Sequence, residues 1–329
     1  MTDFTVLTGF LGSGKTTLLR DFLRQPEAAD TAVIVNEVGA IDIDGAVLAE
    51  DTGDLPMAML ANGCVCCSIA NDLLYTIEAL VGAREASGEG PFRRIVLETS
   101  GLARPGPIIR SLGELAPMGM RLGVVALCDA AAPPFGEAMF EVAVAQLAAA
   151  GVLVLTKLDR ADAGDLPMRL GGINPLARVV MEADPVRRAL AAFGDIAALG
   201  VVRDELAVGH PRVAVMTARI GAVGIDAILE WLENLSGLAG DRLLRLKGVL
   251  RPADMPMRLL FQAVGTAFDQ PRPFQGETEE GLVIITHDLG AAEIAAMAPD
   301  FPVVLETKTA GPFRVPAANR LRAGRLRAG

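Results

Sequence analysis

One octapeptide near the start of the chain limits its possible folds more than any other feature. Residues Gly9–Thr16 read GFLGSGKT and match the pattern G-x-x-x-x-G-K-[ST] at every position. The preceding run Phe4–Thr8 is typical of a buried strand, and Lys15–Arg24 has the apolar spacing of a helix. A strand, a glycine-rich turn and a helix in this order predict a phosphate-binding loop.

The chemistry of this loop supports the prediction. Its glycines let the backbone curl so that successive N–H groups face one anion, and the start of the helix adds positive potential. We expect Lys15 to reach the β- and γ-phosphates of a nucleotide, Thr16 to ligate Mg²⁺ and Thr17 to contact the α-phosphate. The predicted phosphate ligands are Gly9, Gly12, Ser13, Gly14, Lys15, Thr16 and Thr17.

Short β-rich runs alternate with helical patterns over residues 1–205. Further strands are predicted at Thr31–Val35, Met57–Ala61, Arg94–Leu97, Leu122–Leu127, Val152–Leu155 and Arg178–Met181. Further helices are predicted at Ile69–Val81 and Glu137–Ala149. This alternation predicts an α/β domain of the P-loop NTPase type, with a mostly parallel sheet that helices cover on both faces.

The pattern changes near Leu206, which predicts a second and smaller domain over residues 206–329. Its strands are predicted at Arg212–Arg219, Leu243–Leu250, Met257–Val264 and Leu282–Thr286. Its helices are predicted at Ile225–Leu235 and Ala291–Ala298. The order β-α-β-β-β-α favours an α+β domain, and the boundary is expected in the polar stretch Arg203–His210.

A second motif indicates which base the nucleotide carries. Residues Thr156–Asp159 read TKLD after the predicted strand Val152–Leu155, and they resemble the [N/T]-K-x-D motif of GTPases. The Asp159 carboxylate can accept hydrogen bonds from guanine N1–H and the 2-amino group, which adenine lacks. We expect Lys157 to lie along the base, Thr156 to make a weaker loop contact than the commoner Asn, and Glu182–Ala183 to add a backbone contact.

Two acidic residues follow predicted strands of the first domain. Glu98 comes directly after Arg94–Leu97, where P-loop NTPases keep an acid that serves Mg²⁺ or its water shell. Gly101 then allows the backbone to approach the γ-phosphate and to move with it. Glu37 is predicted to be a switch acid, a transition-metal ligand or both. The predicted catalytic group is Lys15, Thr16 and Glu98.

A cluster of thiols narrows the function further. Cys64, Cys66 and Cys67 lie within four positions, and thiolates bind Zn²⁺ or Cu⁺ tightly. Three of them can occupy three corners of one tetrahedron, with the fourth ligand from Glu37, a water or a partner protein. Redox cycling and inert packing remain alternatives for this cluster. Cys128 lies in an apolar run and is predicted to be a buried hydrophobic residue.

Charge and composition exclude several kinds of partner. The formal net charge is −10, which argues against a DNA- or RNA-binding surface because such surfaces need clustered positive charge. No apolar stretch reaches the length of a membrane span, and the N-terminus lacks the regions of a secretory signal. The sequence therefore predicts a cytoplasmic protein with no nucleic-acid or membrane partner.

The motifs taken together resemble one family. The chain carries GFLGSGKT, NEVG, GCVCC, ETSGLARP and TKLD in this order, followed by RLKG at Arg245–Gly248 and LFQAVG at Leu260–Gly265. This set resembles the CobW-type GTPases, relatives of the nickel-insertion GTPases that serve urease and hydrogenase. The resemblance covers nearly the whole chain.

The resemblance implies a GTP-dependent metallochaperone with slow hydrolysis. It would deliver a transition metal, zinc first and cobalt as the alternative, to a client metalloprotein. It assigns Lys15 and Thr16 to phosphate and Mg²⁺, and Asp159 to guanine. It assigns the cargo ion to Cys64, Cys66 and Cys67. We expect the GTP state to hold the metal tightly and hydrolysis to loosen it onto the client.

Some features depart from the family pattern, and other functions remain possible. Ala40 stands where an acid is usual in the first switch, Arg104 stands where an acid is frequent, and the His-rich stretch of many members is absent. The alternatives are a zinc- or redox-sensing nucleotide-binding module and a P-loop kinase or ATPase that acts on a small molecule. A monomer or weak homo-oligomer is expected.

Overall fold

Two β-sheets organise the part of the chain that the computed structural model describes, which is residues 1–36, 56–59, 69–113, 118–136, 139–194 and 209–307. Each sheet has seven strands within these ranges. The first is parallel throughout and the second is antiparallel throughout. The predicted α/β class with a second α+β domain is confirmed.

The first sheet has the strand order β3-β2-β4-β1-β5-β6-β7. Its strands are β1 Thr2–Gly9, β2 Thr31–Val35, β3 Met57–Met59, β4 Arg94–Glu98, β5 Met120–Asp129, β6 Val152–Thr156 and β7 Arg178–Val180. Its helices are α1 Lys15–Leu23, α2 Ile69–Ala86, α3 Pro105–Ser111, α4 Phe140–Ala149, α5 Leu166–Ile173 and α6 Pro185–Ala192. Two cores result, because α1 and α6 cover one face while α2 to α5 cover the other. Burial on both faces explains why these strands read as continuous apolar runs.

The second sheet has the strand order β11-β10-β9-β13-β8-β14, with β12 paired to β10. Its strands are β8 Val213–Ile220, β9 Leu243–Leu250, β10 Leu259–Val264, β11 Ala267–Phe268, β12 Arg272–Pro273, β13 Gly281–His287 and β14 Val303–Thr307. Helices α7 Ile225–Ala239 and α8 Ala291–Met297 pack on one face, around Trp231 and Ile294. The other face joins the core of the first domain through Val215 and Ile285.

Buried polar side chains bind the carbonyls at the end of α4, next to this joint. Asn174 is fully buried, and its Nδ2 donates to the carbonyls of Leu147, Ala148 and Ala150 at 2.8, 3.0 and 2.9 Å. Arg245 of the second domain donates to the carbonyls of Ala148 and Ala149. The last carbonyls of a helix lack partners within the helix and carry negative potential. A guanidinium from the second domain therefore stabilises the end of a helix in the first.

Several elements were not predicted from the sequence. They are α3, α5, α6, β11, β12 and β14. The three helices have at most eight residues and carry Pro in their first turn, so their apolar spacing is too short to stand out. The predicted division between residues 205 and 206, and the predicted start of a helix at Glu137, fall outside the described residues. No helix within the described ranges combines the length and the hydrophobicity of a membrane span.

Candidate nucleotide-binding site

A cavity of about 430 Å³ opens where the carboxyl ends of β1, β2 and β4 meet. This edge of a parallel sheet is where α/β proteins of this architecture bind ligands. The walls come from the loop after β1, the ends of β2 and β4, and the residue after β6. The lining residues are Leu11, Gly12, Gly14, Lys15, Thr16, Thr17, Val35, Asn36, Glu98, Thr99, Ser100, Gly101 and Lys157.

The loop after β1 has the backbone that an anion cradle requires. Gly12 and Gly14 adopt φ values of +71° and +92°, in the left-handed region that favours glycine. The Ser13 N–H donates to the Phe10 carbonyl at 3.1 Å, which closes a tight turn directly before α1. The first N–H groups of α1 thus face the cavity, together with the positive end of the helix.

Lys15 and Thr16 begin α1 and point their polar atoms at the loop and at β4. The Lys15 ammonium donates to the Gly9 carbonyl at 3.0 Å. The Thr16 hydroxyl donates to Oε1 of Glu98 at 2.7 Å, and Glu98 is buried at the end of β4. A hydroxyl and a carboxylate side by side are oxygen ligands of the kind that Mg²⁺ prefers. These two residues therefore fit a magnesium ion bound beside the phosphates.

The segment after β4 lies against the phosphate loop. A Cβ atom added at Gly101 would lie 2.8 Å from the backbone nitrogen of Leu11, so only glycine permits this contact. The buried side chain of Gln146 on α4 donates to the carbonyls of Gly101 and Ala103, at 3.1 and 2.9 Å. Sequence reasoning missed Gln146, because only the fold brings it to this segment.

The TKLD segment contacts the same loop from the opposite side. The Thr156 hydroxyl donates to the Ser13 carbonyl at 2.8 Å, so threonine does supply a contact to the loop. Lys157 has a φ of +56°, and its ammonium donates to Oδ2 of Asp129 at 2.5 Å. Asp129 ends β5 and was not predicted as a site residue. Its other carboxylate oxygen accepts the N–H groups of Ala131 and Ala132.

The remaining predicted base contacts lie outside the cavity walls. Asp159 is 78% exposed and lies 3.8 Å from Arg160, so its carboxylate faces solvent. The carbonyls of Glu182 and Ala183 accept hydrogen bonds from Arg188 at the start of α6. A bound base would have to extend from the phosphate loop to reach Asp159.

The predicted transition-metal ligands Glu37, Cys64, Cys66 and Cys67 lie outside the described residues, as does Ala40. Within the described ranges, no group of three or more His, Cys, Asp or Glu side chains is arranged to hold a metal ion. Cys128 is fully buried, and burial raises the pKa of its thiol to about 12. It therefore packs as a small hydrophobic residue.

A parallel sheet with a glycine loop between β1 and α1, and with a buried acid at the end of β4, defines a P-loop nucleotide-binding protein. Residues 3–180 match the CobW/HypB/UreG nucleotide-binding domain, and residues 215–298 match the cobalamin synthesis protein cobW C-terminal domain. The chain belongs to this family, which confirms the resemblance found in the sequence.

Relatives match along most of their length. The zinc chaperone YjiA of Escherichia coli is 33% identical, over 89% of this chain and 96% of that protein. The zinc chaperone CobW of a Sinorhizobium species is 29% identical, over 89% and 95%. The crystal structure of the Zn(II)-bound YjiA GTPase from Escherichia coli has a TM-score of 0.61 at 28% identity, and it covers 91% of this chain and 98% of that one.

The contact between Gly101 and the phosphate loop predicts a sensitive position. In Gly101→Ala the new methyl group pushes the two segments apart, because it would meet Leu11 backbone atoms at 2.8 and 2.9 Å. We expect the affinity for a fluorescent GDP analogue to fall by about tenfold or more. Gly113→Ala is the matched control, since a Cβ there meets nothing within 4 Å. Equal GDP affinity in the two variants would contradict this account of the site.

Proposed function

We propose that this protein is a GTP-binding and slowly GTP-hydrolysing metallochaperone that delivers zinc to a client metalloprotein in the cytoplasm. One observation carries the proposal: the segment that leads to the predicted metal ligands begins on the wall of the nucleotide cavity. Val35 and Asn36 line that cavity, and Glu37 is the next residue. The names of the relatives, zinc chaperone and Zn(II)-bound GTPase, support the same function.

We assign the phosphates of GTP to the loop, where Lys15 would contact the β- and γ-phosphates and Thr17 the α-phosphate. Thr16 and Glu98 would hold Mg²⁺, which when bound neutralises the charge that develops between the β- and γ-phosphates. The 2.7 Å hydrogen bond between these two side chains supports this placement. The Lys15 ammonium already lies at the phosphate loop, where it donates to the Gly9 carbonyl.

We assign the binding of guanine to the TKLD segment, residues Thr156–Asp159. Asp159 accepts from N1–H and the 2-amino group, so an adenine would leave the carboxylate unpaired. The Thr156 contact to Ser13 and the Lys157 contact to Asp129 fix the segment that carries Asp159. Asp159, the proposed guanine-binding residue, therefore follows a segment that contacts the same loop as the phosphates.

The slow rate follows from the side chains around the cavity. No Gln or Arg side chain lines it among the described residues. Gln146 is occupied by the carbonyls of Gly101 and Ala103. Arg104 pairs with Glu141 and Asp241 at 3.1 Å each. Neither residue is placed to orient a water or to stabilise the transferred phosphoryl group, so the described residues favour slow turnover.

Zinc is the cargo, and we assign it to Cys64, Cys66 and Cys67 with Glu37 as the fourth ligand. Three thiolates and one carboxylate satisfy the tetrahedral preference of Zn²⁺. The Asn36 N–H donates to the Glu98 carbonyl at 3.0 Å, so Glu37 directly follows a residue bound to the acid strand. A rearrangement of β4 and its loop on hydrolysis would thus reach Glu37, one of the proposed zinc ligands, through one peptide bond.

Replacement of Asp159 tests the proposal that the protein recognises guanine. Asp159→Asn loses the carboxylate that accepts both guanine hydrogen bonds, so GTP affinity should fall by about 100-fold or more while ATP affinity stays weak. The new amide can donate to the 2-carbonyl of xanthine, so XTP should bind better than it does to the parent protein. Titration with fluorescent GTP, ATP and XTP analogues measures all three. Asp162→Asn, at a nearby exposed acid, is the control and should change none of them.

A parent protein that binds ATP as tightly as GTP would favour a kinase or ATPase instead. A GTP preference that Asp159→Asn left intact would instead rule out Asp159 as the residue that recognises guanine.

Replacement of the three thiols tests the cargo assignment. A variant with Cys64→Ser, Cys66→Ser and Cys67→Ser should bind zinc at least about 100-fold more weakly, because hydroxyls cannot replace thiolates as zinc ligands. Competition with a chromophoric chelator measures the affinity, and Cys128→Ala is the matched control. The amount of zinc that co-purifies with the variant would not by itself test the assignment. The Escherichia coli YjiA GTPase is also Zn(II)-bound in a crystal structure of a triple mutant with one Glu and two Cys replaced by Ala.

Undiminished zinc affinity in the serine variant would rule out these thiols as the cargo site. Zinc that the parent protein retains against the chelator in every nucleotide state would instead favour a sensor.

A further inference from the structure

A second cavity of about 350 Å³ lies between the two domains, away from the nucleotide site. Residues 121–124 of β5 line it, whereas the nucleotide cavity opens at the other end of the sheet. Gly123 lines this cavity, whereas Asp129 at the end of β5 binds Lys157 of the nucleotide cavity. The two residues are about 20 Å apart along the strand, at about 3.3 Å per residue. The cavity is therefore a separate compartment.

The two motifs of the second domain that the nucleotide site leaves unexplained both face this cavity. Arg245 and Lys247 of RLKG line it, together with Gln262 and Val264 of LFQAVG. In the antiparallel pair β9 and β10, Lys247 lies opposite Gln262 and Arg245 lies opposite Val264. Cross-strand partners share a face of the sheet.

Arg272 joins this face, since it lies opposite Leu260 in the pairing of β10 and β12. One face of the second sheet thus presents a row of cations to the first domain.

The charge of the lining is opposite to that of the chain. Among the described residues that line the cavity, Asp269 is the single carboxylate, and the cations are Arg121, Arg245, Lys247 and Arg272. Cationic side chains thus outnumber carboxylates in this lining, in a chain whose formal net charge is −10. A concave surface lined by one sign of charge concentrates ligands of the opposite sign.

Two of these cations already have partners. Arg245 donates to carbonyls at the end of α4, and Arg121 forms an ion pair with Asp3 at 2.7 Å. Asp269 accepts a hydrogen bond from Gln262. Within the described residues, by contrast, Lys247 and Arg272 have no hydrogen bond or ion pair. These two cations differ in exposure, since Lys247 is half-buried and Arg272 is exposed.

Lys247 is the cation of this cavity whose charged form is energetically disfavoured. Its burial, with Arg245 and Arg272 close by, lowers the pKa of its ammonium from 10.5 to about 7, and only Asp269 opposes this shift. A half-buried cation without a hydrogen bond or ion pair disfavours folding, so its presence needs an explanation other than stability. An anion between Lys247 and Arg272 would remove the penalty.

We propose that this interdomain cavity binds a small organic anion, whose phosphate or carboxylate group is held by Lys247 and Arg272. The apolar remainder of the ligand packs on Ile109 and Leu122 of the first domain and on Phe274 of the second. The volume suits a ligand at the small end of the range for metabolite pockets.

The test uses the full-length protein saturated with Mg²⁺ and GDP, so that the phosphate loop is filled. Sulfate stands for the phosphate class and glutarate for the carboxylate class, and calorimetry measures the binding of each. We expect at least one of the two to bind with a Kd of about 1 mM or tighter. The class that binds identifies the anionic group of the ligand.

Three variants locate that binding. Lys247→Met and Arg272→Met should each weaken it by about 10- to 100-fold, the loss expected for one charge-assisted contact. Arg242→Met removes an exposed cation of the same domain that pairs with Glu293 at 3.8 Å, and it should leave binding unchanged. No binding of either probe to the parent protein overturns the proposal, as does binding that Lys247→Met and Arg272→Met leave intact.

Thermal stability distinguishes a ligand-binding lysine from a structural one. Because folding lowers the pKa of Lys247, the folded state disfavours its proton. The penalty is absent above about pH 10.5, grows as the pH falls towards 7 and is constant below that. In the absence of anions, Lys247→Met should therefore raise the Tm at pH 7 and have progressively less effect towards pH 10.5. A lower Tm at pH 7 would indicate a structural lysine and contradict the proposal.

Discussion

The hydrogen bond between the Thr16 hydroxyl and the Glu98 carboxylate is the contact on which the nucleotide site depends. It joins the first turn of α1 to the end of β4, two elements that are 82 residues apart in the chain. From the other side, the Thr156 hydroxyl binds the Ser13 carbonyl. The phosphate loop is therefore fixed between two parallel strand ends before any ligand arrives, which lowers the entropic cost of binding phosphate.

The segment after Glu98 extends this constraint to the second domain. Gln146 holds its carbonyls, and Arg104 links Glu141 in the first domain to Asp241 in the second. Helix α3 follows, and its Arg110 donates to Thr266 in the turn after β10. A chain segment that touches the phosphate loop at one end thus packs against the second domain at the other. It provides a physical path by which phosphate occupancy can alter the joint between the domains.

Much of the fold and part of the nucleotide site could be predicted from local sequence patterns. The phosphate loop, TKLD and Glu98 are recognisable because each is a short pattern at the end of a buried apolar run, and both faces of the first sheet are covered. Asp129 and Gln146 were missed because their roles depend on contacts with residues 28 to 45 positions away. The cation row was equally hidden, since Lys247 and Arg272 share a face only through strand register.

We propose that the phosphate state of the nucleotide controls how tightly zinc is held. It is tested most directly by the zinc affinity of the parent protein, measured against a competing chelator with Mg²⁺–GDP and with Mg²⁺ and a non-hydrolysable GTP analogue. We expect zinc to bind at least about tenfold more tightly with the GTP analogue, a coupling of about 1.4 kcal/mol. Equal affinities in the two states would contradict it.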